Sequence, residues 1–170
     1  MKEDNHKDIY HRELDTILRF CALINSSLNI DTVLDNAMKC AEEFMDAEAS
    51  SIYELDEERD ELFIRLARGE KTESIKGIKL KVGEGISGSV VQTGRPEVIQ
   101  DVRRDKRFSD KFDRLTGFKT RAMICVPLIL RDTPFGALQV LNKKSGEAFT
   151  RPDLELLVGM SQQIAVAMEN

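Results

Sequence analysis

A cysteine embedded in an apolar run follows a basic, hydroxyl-bearing turn in the stretch LTGFKTRAMICVPL, residues 115–128. This thiol, Cys125, would act as a nucleophile only if a base or a helix N-terminus lowered its pKa. The two histidines, His6 and His11, lie at the far N-terminus, outside the expected core. Since aliphatic residues surround Cys125 in a strand-like segment, we interpret it as a buried structural thiol.

The turn before Cys125 carries groups suited to binding a small molecule. Thr116 and Thr120 supply hydroxyls, Asp113 supplies a carboxylate, and Gly117 lets the backbone turn sharply between them. With a short helix before it at the edge of a sheet, this turn would form a lid over a pocket. An ordinary polar connection is the alternative that the pattern leaves open.

Charge is unevenly distributed along the chain. The formal net charge is −5, which argues against a general nucleic-acid binder. Residues 101–121 nevertheless contain eight basic and four acidic side chains, a local excess of four positive charges. Such an excess is typical either of a solvated loop or of a local field that favours an anionic ligand.

A glycine-rich segment, KVGEGISG, has the spacing G-x-G-x-x-G at Gly83, Gly85 and Gly88. A dinucleotide site would need an apolar parallel strand before these glycines and an acid about 20 residues beyond them. The preceding residues alternate between polar and apolar, and a short helix and a broken loop follow. We therefore interpret the glycines as a tight strand-to-helix turn.

Composition indicates a single globular domain. Its 170 residues, 41% hydrophobic, can bury a core without disulfides or metals. Three widely separated cysteines suggest neither a disulfide framework nor a zinc cluster. Because the sequence contains neither a signal peptide nor an apolar run long enough to insert into a membrane, we expect a cytoplasmic protein.

Helices are predicted at both ends. An N-terminal helix has one narrow apolar seam at steps of three and four: Leu14, Ile17, Cys21, Ile24 and Leu28. A second helix begins at Asp31, its expected N-cap, and turns these residues inward: Val33, Leu34, Ala37, Met38, Ala41 and Phe44. The last helix, residues 151–170, starts behind Thr150 and repeats the seam at Leu154, Leu157, Ser161, Ile164 and Met168.

Narrow seams of this kind are typical of helices that pack on partner helices. We expect residues 1–30 to be a linker and dimerisation helix, and both terminal helices to join a homodimer. Packing of the two helices on each other within one chain is the alternative. Because the last helix reaches Asn170 without a stop signal, we expect the native chain to continue.

Between these helices the apolar period changes to two. Strand-like segments are residues 50–55, 62–67, 75–82, 96–101, 121–130 and 135–142. Short helices are predicted over 86–92 and 108–115; the second would be capped by Ser109 and ended by Gly117. It is too short to be stable alone, so it would lean on the sheet and could move. The pattern predicts an α+β domain.

Three stretches, residues 83–102, 107–128 and 135–153, together resemble a GAF domain. The resemblance covers residues 31–170. Within the family, the sequence is similar in particular to the GAF domains of cyclic-nucleotide phosphodiesterases, adenylyl cyclases and bacterial signalling proteins. It implies a six-stranded antiparallel sheet flanked by helices, with the terminal helices packed together on one face. It also implies a ligand pocket under a short helix, dimerisation through the terminal helices and an attached output domain.

Cyclic-nucleotide-binding members carry the signature N-K…F-x-x-x-D-E. Asn142, Lys143, Phe149 and Asp153 match it, whereas Leu154 stands where the final glutamate is expected. The resemblance implies that Lys143 and Asp153 pair to brace the pocket without touching the ligand.

The resemblance also implies which side chains contact the ligand. These are Ser51, Ile86, Ser87, Asp113, Thr116, Thr120 and Gln139. Gln139 stands where an acid often recognises the base, which leaves base preference open.

Enzymes also occur in this family. Free methionine sulfoxide reductases use cysteines over the pocket, and bilin binders need an attachment cysteine, but residues 83–120 contain none. We therefore expect a non-catalytic sensor that needs no metal, with a cyclic nucleotide as the leading ligand. A dimerisation scaffold without a ligand is the alternative, and a reductase-like enzyme is less favoured.

Overall fold

The computed structural model describes residues 2–24, 27–70 and 72–169. Its six strands are β1 (Ala47–Asp56), β2 (Glu61–Arg68), β3 (Lys79–Lys81), β4 (Glu97–Ile99), β5 (Met123–Leu130) and β6 (Thr133–Lys143). They form one antiparallel sheet in the spatial order β3-β2-β1-β6-β5-β4. The predicted α+β fold with a six-stranded antiparallel sheet is therefore confirmed.

Within the described residues five α-helices flank the sheet. They are α1 (Lys2–Ile24), α2 (Ile30–Met45), α3 (Gly85–Thr93), α4 (Lys111–Thr116) and α5 (Arg151–Glu169). The helices α1, α2 and α5 pack together on one face, and α3 and α4 lie over the other. None of the described helices has both the length and the apolar character required to span a membrane.

Strand alternation divides the core into two halves. Successive side chains of a strand point to opposite faces, so Ile52 packs under α2 and α5 while Tyr53 packs under α3. The strands β1 and β6 meet very closely at Gly136, where a Cβ atom would lie 2.3 Å from the Tyr53 carbonyl oxygen. Only glycine fits there.

The start of α2 differs from the prediction. Asn29, not Asp31, is the N-cap, and its side chain accepts hydrogen bonds from the backbone N–H groups of Asp31 and Thr32. Asp31 falls instead in the first turn, where a carboxylate is favoured by the helix dipole, and it pairs with Arg65. The inward face of α2 is confirmed, although Phe44 is only half-buried.

The two predicted seams have different fates. On α5, Leu157, Ser161 and Ile164 are buried in the core of the single chain, so the expectation that they pack on a partner is wrong. On α1, Leu14 and Ile17 are 43% and 46% exposed. Cys21 is exposed as well. Among the side chains of α1 that the structure describes, Thr16 and Phe20 are buried instead. Leu28 lies beyond the helix, and the side chain of Ile24 is outside the described part.

The elements around the opposite face are shorter than predicted. The strand expected over residues 75–82 contains only Lys79–Lys81, because a 3-10 turn occupies Thr72–Ile75. Helix α4 has only six residues. Ser109 lies just before the helix, and its hydroxyl accepts a hydrogen bond from Lys111 N at 3.3 Å. Gly117 ends α4 as predicted, with a φ of +76°.

Candidate functional site

A cavity of about 170 Å³ lies between the sheet, the start of α3, helix α4 and the 3-10 turn after β2. The seven side chains expected to contact a ligand all line it. They are Ser51, Ile86, Ser87, Asp113, Thr116, Thr120 and Gln139. The fold thus brings together residues that are up to 88 positions apart in the chain (139 minus 51), while their contact with a ligand stays a prediction.

The floor of the cavity is a row of side chains that crosses neighbouring strands. Ser51 of β1 lies opposite Gln139 of β6, and Gln139 lies opposite Cys125 of β5. On β2 the row continues to Ala67, which also lines the cavity, whereas Cys125 and its neighbour Glu97 on β4 lie outside the cavity lining. Because directly opposed residues of antiparallel strands project on the same face, this register places a hydroxyl, an amide and a thiol side by side.

Hydrogen bonds within the floor leave one hydroxyl unpaired. Ser87 Oγ donates to Gln139 Oε1 at 3.0 Å, and Cys125 Sγ lies 4.0 Å from Ser87 Oγ. Ser51 Oγ is shielded from solvent and has no hydrogen-bond partner among the described residues. A buried hydroxyl without a partner is costly, so this atom marks a position where a polar ligand group would be stabilised.

Tyr53 extends the floor towards α3. Burial is the main reason why the pKa of its phenol is raised above the ordinary value, so it stays protonated at neutral pH. Ser51, Gln139 and Ser87 lie close enough to lower that pKa in part. The Ser51 hydroxyl nevertheless does not meet the geometry of a hydrogen bond. Ser51, Gln139 and Tyr53 thus make the floor polar but uncharged.

The thiol of Cys125 is fully buried beneath this floor. Burial raises the pKa of Cys125 to about 12, and the hydrogen bond with Ser87 offsets only part of that rise. At neutral pH the sulfur is therefore a protonated thiol rather than a reactive thiolate. The prediction of a structural strand cysteine is confirmed.

Aromatic rings form the side of the cavity opposite the floor. Phe108, Phe112 and Phe118 come from the lid segment, defined here as residues 105–120, and all three line the cavity. The Phe112 ring meets the Tyr53 ring edge to face, with centroids 6.4 Å apart and planes at 78°. A flat ring entering the cavity would therefore contact aromatic faces and edges.

The N-terminus of α3 forms a third wall. The backbone N–H groups of Gly85, Ile86 and Ser87 lie in its first turn, where a helix provides no acceptor. Glu84 does not cap them, since its carboxylate accepts from Lys81 N at 2.9 Å. Such a helix end attracts anionic groups. The Ile86 side chain is buried and lines the cavity beside these N–H groups.

The hydroxyl groups of the lid segment are already engaged. Thr120 Oγ1 donates to Asp113 Oδ1 at 2.7 Å, and Thr120 N donates to Asp113 Oδ2 at 2.8 Å. Thr116 Oγ1 donates to Phe112 O and accepts from Phe118 N. Since each hydroxyl has a single proton, neither threonine can donate to a ligand in this arrangement. In this arrangement the two hydroxyl protons close the lid turn, and contact of Thr116 and Thr120 with a ligand stays a prediction.

The local positive excess of residues 101–121 is partly neutralised by acids from outside the segment. Arg107 pairs with Asp105 and with Glu97 of β4, and these bonds raise its pKa above the ordinary value. Arg121 pairs with Glu48 of β1. Among the described residues, the cavity lining carries equal numbers of bases and acids: Arg68, Arg107 and Lys111 against Glu70, Glu84 and Asp113. The described lining of the cavity therefore carries no net positive charge.

The Lys143–Asp153 pair is formed but lies outside the cavity lining. Lys143 Nζ is 2.7 Å from Asp153 Oδ2; the Asp153 side chain is buried and the Lys143 side chain is half-buried. Thr150 and Asp153 also exchange hydrogen bonds between side chain and backbone, a capping box at the start of α5. The pair therefore braces β6 against α5 rather than the pocket directly.

Sequence reasoning missed the aromatic part of the site. Tyr53 lies two residues after Ser51, so the strand period alone places both side chains on one face. Phe112 and Phe118 belong to the segment identified as a lid, but their contact with the cavity depends on how that segment folds over the sheet. Within the described residues there is no group of His, Cys, Asp and Glu that could hold a metal ion.

Comparison with known proteins identifies relatives in signalling. The model of the GAF domain family matches residues 29–168. A probable 3',5'-cyclic phosphodiesterase of Caenorhabditis elegans, pde-5, is 28% identical over 163 residues, 89% of this chain and 22% of that protein. A dual 3',5'-cyclic-AMP and -GMP phosphodiesterase 11 of Drosophila melanogaster is 33% identical over 104 residues, 59% of this chain and 7% of that protein. The chain thus spans less than a quarter of either relative.

Solved structures share the architecture. The GAF domain of an Acinetobacter phosphoenolpyruvate-protein phosphotransferase superposes with a TM-score of 0.80 at 25% identity, covering 92% of both chains. A free methionine-R-sulfoxide reductase of Neisseria meningitidis superposes with a TM-score of 0.77 at 17% identity, covering 92% of this chain and 88% of the other. At that identity the reductase shows similarity of fold alone.

Proposed function

The chain belongs to the GAF domain family, and on that premise we propose that it is a non-catalytic regulatory domain that senses a small molecule. One observation carries this proposal: the cavity combines an aromatic lid side, an uncharged polar floor and the N-terminus of α3. Binding sites for small molecules are commonly concave and largely apolar, with a few placed polar groups. The combination suits a ligand that has a flat ring and a small anionic group.

The aromatic residues would hold the ring. Stacking of a base on an aromatic side chain contributes about 1–3 kcal/mol. Phe112 already contacts Tyr53 across the cavity, so a ring could enter only if the two aromatic groups separate or shift. Ligand binding would thereby move α4, because a helix of only six residues is not stable by itself and can be displaced with its Phe112 side chain.

The anionic group would bind to backbone rather than to charged side chains. The lining has balanced charges and its threonine hydroxyls are engaged. The backbone N–H groups at Ile86 and Ser87, in the first turn of α3, are donors that suit an anion. In this proposal Asp113, Thr116 and Thr120 act by shaping the lid over the ligand.

A cyclic nucleotide is the leading candidate because it has both a flat base and a small phosphate ring. The relatives named above are phosphodiesterases of cyclic nucleotides, which supports this ligand class for the chain. Asn142, Lys143, Phe149 and Asp153 match the signature of cyclic-nucleotide binders, and Leu154 departs from it. Leu154 packs against the helix-side core, so the missing glutamate does not alter the cavity.

A regulatory rather than catalytic role agrees with the chemistry of the site. Its nearest thiol, Cys125, is buried and has a pKa of about 12, which does not suit a reductase. We further propose that the domain acts in the cytoplasm, where free thiols such as those of Cys40 and Cys125 persist.

The signal would leave through the terminal helices to an attached output domain. Helix α1 presents an apolar strip to solvent at Tyr10, Leu14 and Ile17, with exposures of 63%, 43% and 46%. Their spacing of four and three residues is that of a coiled-coil seam, which supports a homodimer through α1. Ligand-driven movement of the lid would then change how α1 and α5 leave the domain.

Calorimetry with cyclic AMP and cyclic GMP tests the ligand. We expect binding to the wild-type domain and a loss of about tenfold or more in Phe112→Ala, since at least one stacking contact of about 1.4 kcal/mol is removed. Leu115→Ala is the matched control, because Leu115 lies on the same short helix and is 50% exposed. An equal loss in both variants would place the ligand elsewhere. No binding at millimolar concentration would favour the dimerisation scaffold.

Sedimentation tests the dimer. Ile17→Asp should convert a dimer to a monomer without unfolding the domain, because the Ile17 side chain is exposed in the single chain. Asp8→Lys, at an exposed position of the same helix, is the control for a change of charge. A wild-type monomer at high micromolar concentration would contradict the proposal. A charged residue at Ile164 is not informative, since Ile164 is a core residue.

A further inference from the structure

We propose that the floor of the cavity accepts a base carrying either a keto or an amino group, and that Gln139 together with Ser51 sets this tolerance. The inference rests on the proposed function, since it concerns the base of a nucleotide ligand. It depends on three features of the floor: an amide at its centre, an unpaired hydroxyl beside it and the absence of charge from both.

Gln139 occupies the centre of the floor. It lies between Ser51 and Cys125 in the row across the sheet, and only 8% of its surface is exposed. Its Oε1 accepts from Ser87 Oγ at 3.0 Å, so one end of the carboxamide is held by a neighbour. The Nε2 end has no hydrogen-bond partner among the described residues and is available to a ligand.

The bond to Ser87 does not fix which end of the amide faces the ligand. A carboxamide keeps its shape when its oxygen and nitrogen exchange places, and a hydroxyl can donate or accept. After exchange, Gln139 Nε2 would donate to Ser87 Oγ, so the hydrogen bond survives. The group offered to the ligand then changes from a donor to an acceptor.

Ser51 supplies a second adaptable group. Its Oγ is directly across the strand pair from Gln139 and has no partner among the described residues. Because a hydroxyl rotates to donate or accept, Ser51 can complement whichever end Gln139 presents. The two side chains therefore match neighbouring groups on one edge of a purine.

The purine bases differ in the polarity of that edge. Adenine carries an amino donor where guanine carries a keto acceptor. A carboxylate at position 139 could only accept, and would favour the base whose edge presents N–H donors. The carboxylate in the lid, Asp113, is held by two hydrogen bonds from Thr120 and belongs to the lid rather than to the floor. The wild-type floor thus lacks a fixed polarity.

The test compares the Kd values of cyclic AMP and cyclic GMP by calorimetry for wild type, Gln139→Glu and Gln163→Glu. Wild type should bind both nucleotides within about tenfold of each other. Gln139→Glu should shift the ratio towards cyclic GMP by about tenfold or more, since guanine offers N–H donors to a carboxylate. Gln163 is exposed on α5, so its conversion to glutamate should leave the ratio unchanged.

Two results overturn the inference while leaving the proposed function intact. These are a wild-type preference greater than tenfold, and binding of both nucleotides with a ratio that Gln139→Glu does not alter. If neither nucleotide binds wild type, both the inference and the nucleotide ligand are wrong.

Ser51→Ala provides an independent variant if Gln139→Glu fails to fold in thermal denaturation. It removes a hydroxyl that has no internal partner, so the fold should be preserved. We expect similar weakening for both nucleotides, by about three- to tenfold. Loss of binding for one nucleotide alone would contradict the proposed tolerance.

Discussion

Replacing Lys143 by methionine is expected to destabilise the domain by about 3–4 kcal/mol. The Lys143 ammonium lies 2.7 Å from Asp153 Oδ2, and the two side chains are 13% and 5% exposed. Methionine preserves most of the aliphatic stem but leaves the carboxylate buried without a counter-ion, a change that costs about 3–5 kcal/mol in other proteins. The hydrogen bond from Thr150 N to Asp153 persists, which places the estimate in the lower part of that range.

The reverse substitution should be milder. In Asp153→Asn the amide oxygen still accepts from Thr150 N, so the cap of α5 survives. Lys143 is the more exposed partner, and its flexible stem can carry the ammonium towards water. We expect a loss of about 1–2 kcal/mol. The double variant should lose less than the sum of the two single losses, by about 1–3 kcal/mol.

Urea unfolding at neutral pH measures these differences, with an unchanged denaturant slope as the sign that two-state behaviour is retained. Lys144→Met is the matched control, because Lys144 is the adjacent lysine and is exposed. It should change stability by no more than about 0.5 kcal/mol. An Asp153→Asn loss as large as that of Lys143→Met, or additive losses in the double variant, would refute the argument from unequal burial.

Three further predictions concern packing, thiol chemistry and pH. Gly136→Ala should destabilise by about 2 kcal/mol or more in urea unfolding, because its Cβ would lie 2.3 Å from the Tyr53 carbonyl oxygen. In native protein at pH 8 a thiol reagent should modify exposed Cys21 and spare Cys125, whose pKa is about 12; rapid loss of both thiols would contradict this burial. Burial acts to raise the pKa of Glu48, but hydrogen bonds from neighbouring side chains outweigh it and lower the pKa. The ionised Glu48 carboxylate therefore stabilises the folded protein above the pKa that it has in the unfolded chain, and this stabilisation is lost as the pH falls through its pKa in the folded protein. Glu48→Gln should thus make Tm decline less steeply below about pH 4.5 than in wild type. If Tm declines equally in wild type and Glu48→Gln at acidic pH, the Glu48 carboxylate does not stabilise the folded state.

Most helices and strands could be predicted because their signals are local. The alternation of residues 50–55 and 62–67 predicts the hairpin of β1 and β2, and Gly117 predicts the end of α4. Hydrophobic period and turn chemistry are properties of a few consecutive residues. The resemblance to a known family supplied the sheet topology and the ligand-facing positions, which local patterns do not contain.

The use of each apolar seam was decided by tertiary structure. The helices α1 and α5 show the same spacing of three and four, yet Ile164 is fully buried while Ile17 is 46% exposed. The spacing of apolar residues shows that a helix has an apolar side, but it does not show which other element packs against that side. On α5 the sheet covers the seam, whereas on α1 the neighbouring helices contact Phe20 instead.

The chemistry of the site shows the same division. The sequence determined that Thr116, Thr120 and Asp113 would lie around one turn, because they are neighbours in the chain. Only the folded chain decided that the Thr120 proton is donated to Asp113. It also decided that Ser51, 88 positions before Gln139 and opposite it in the sheet, has no hydrogen-bond partner among the described residues. A sequence lists donors and acceptors, but each hydroxyl has one proton, and long-range packing decides where that proton points.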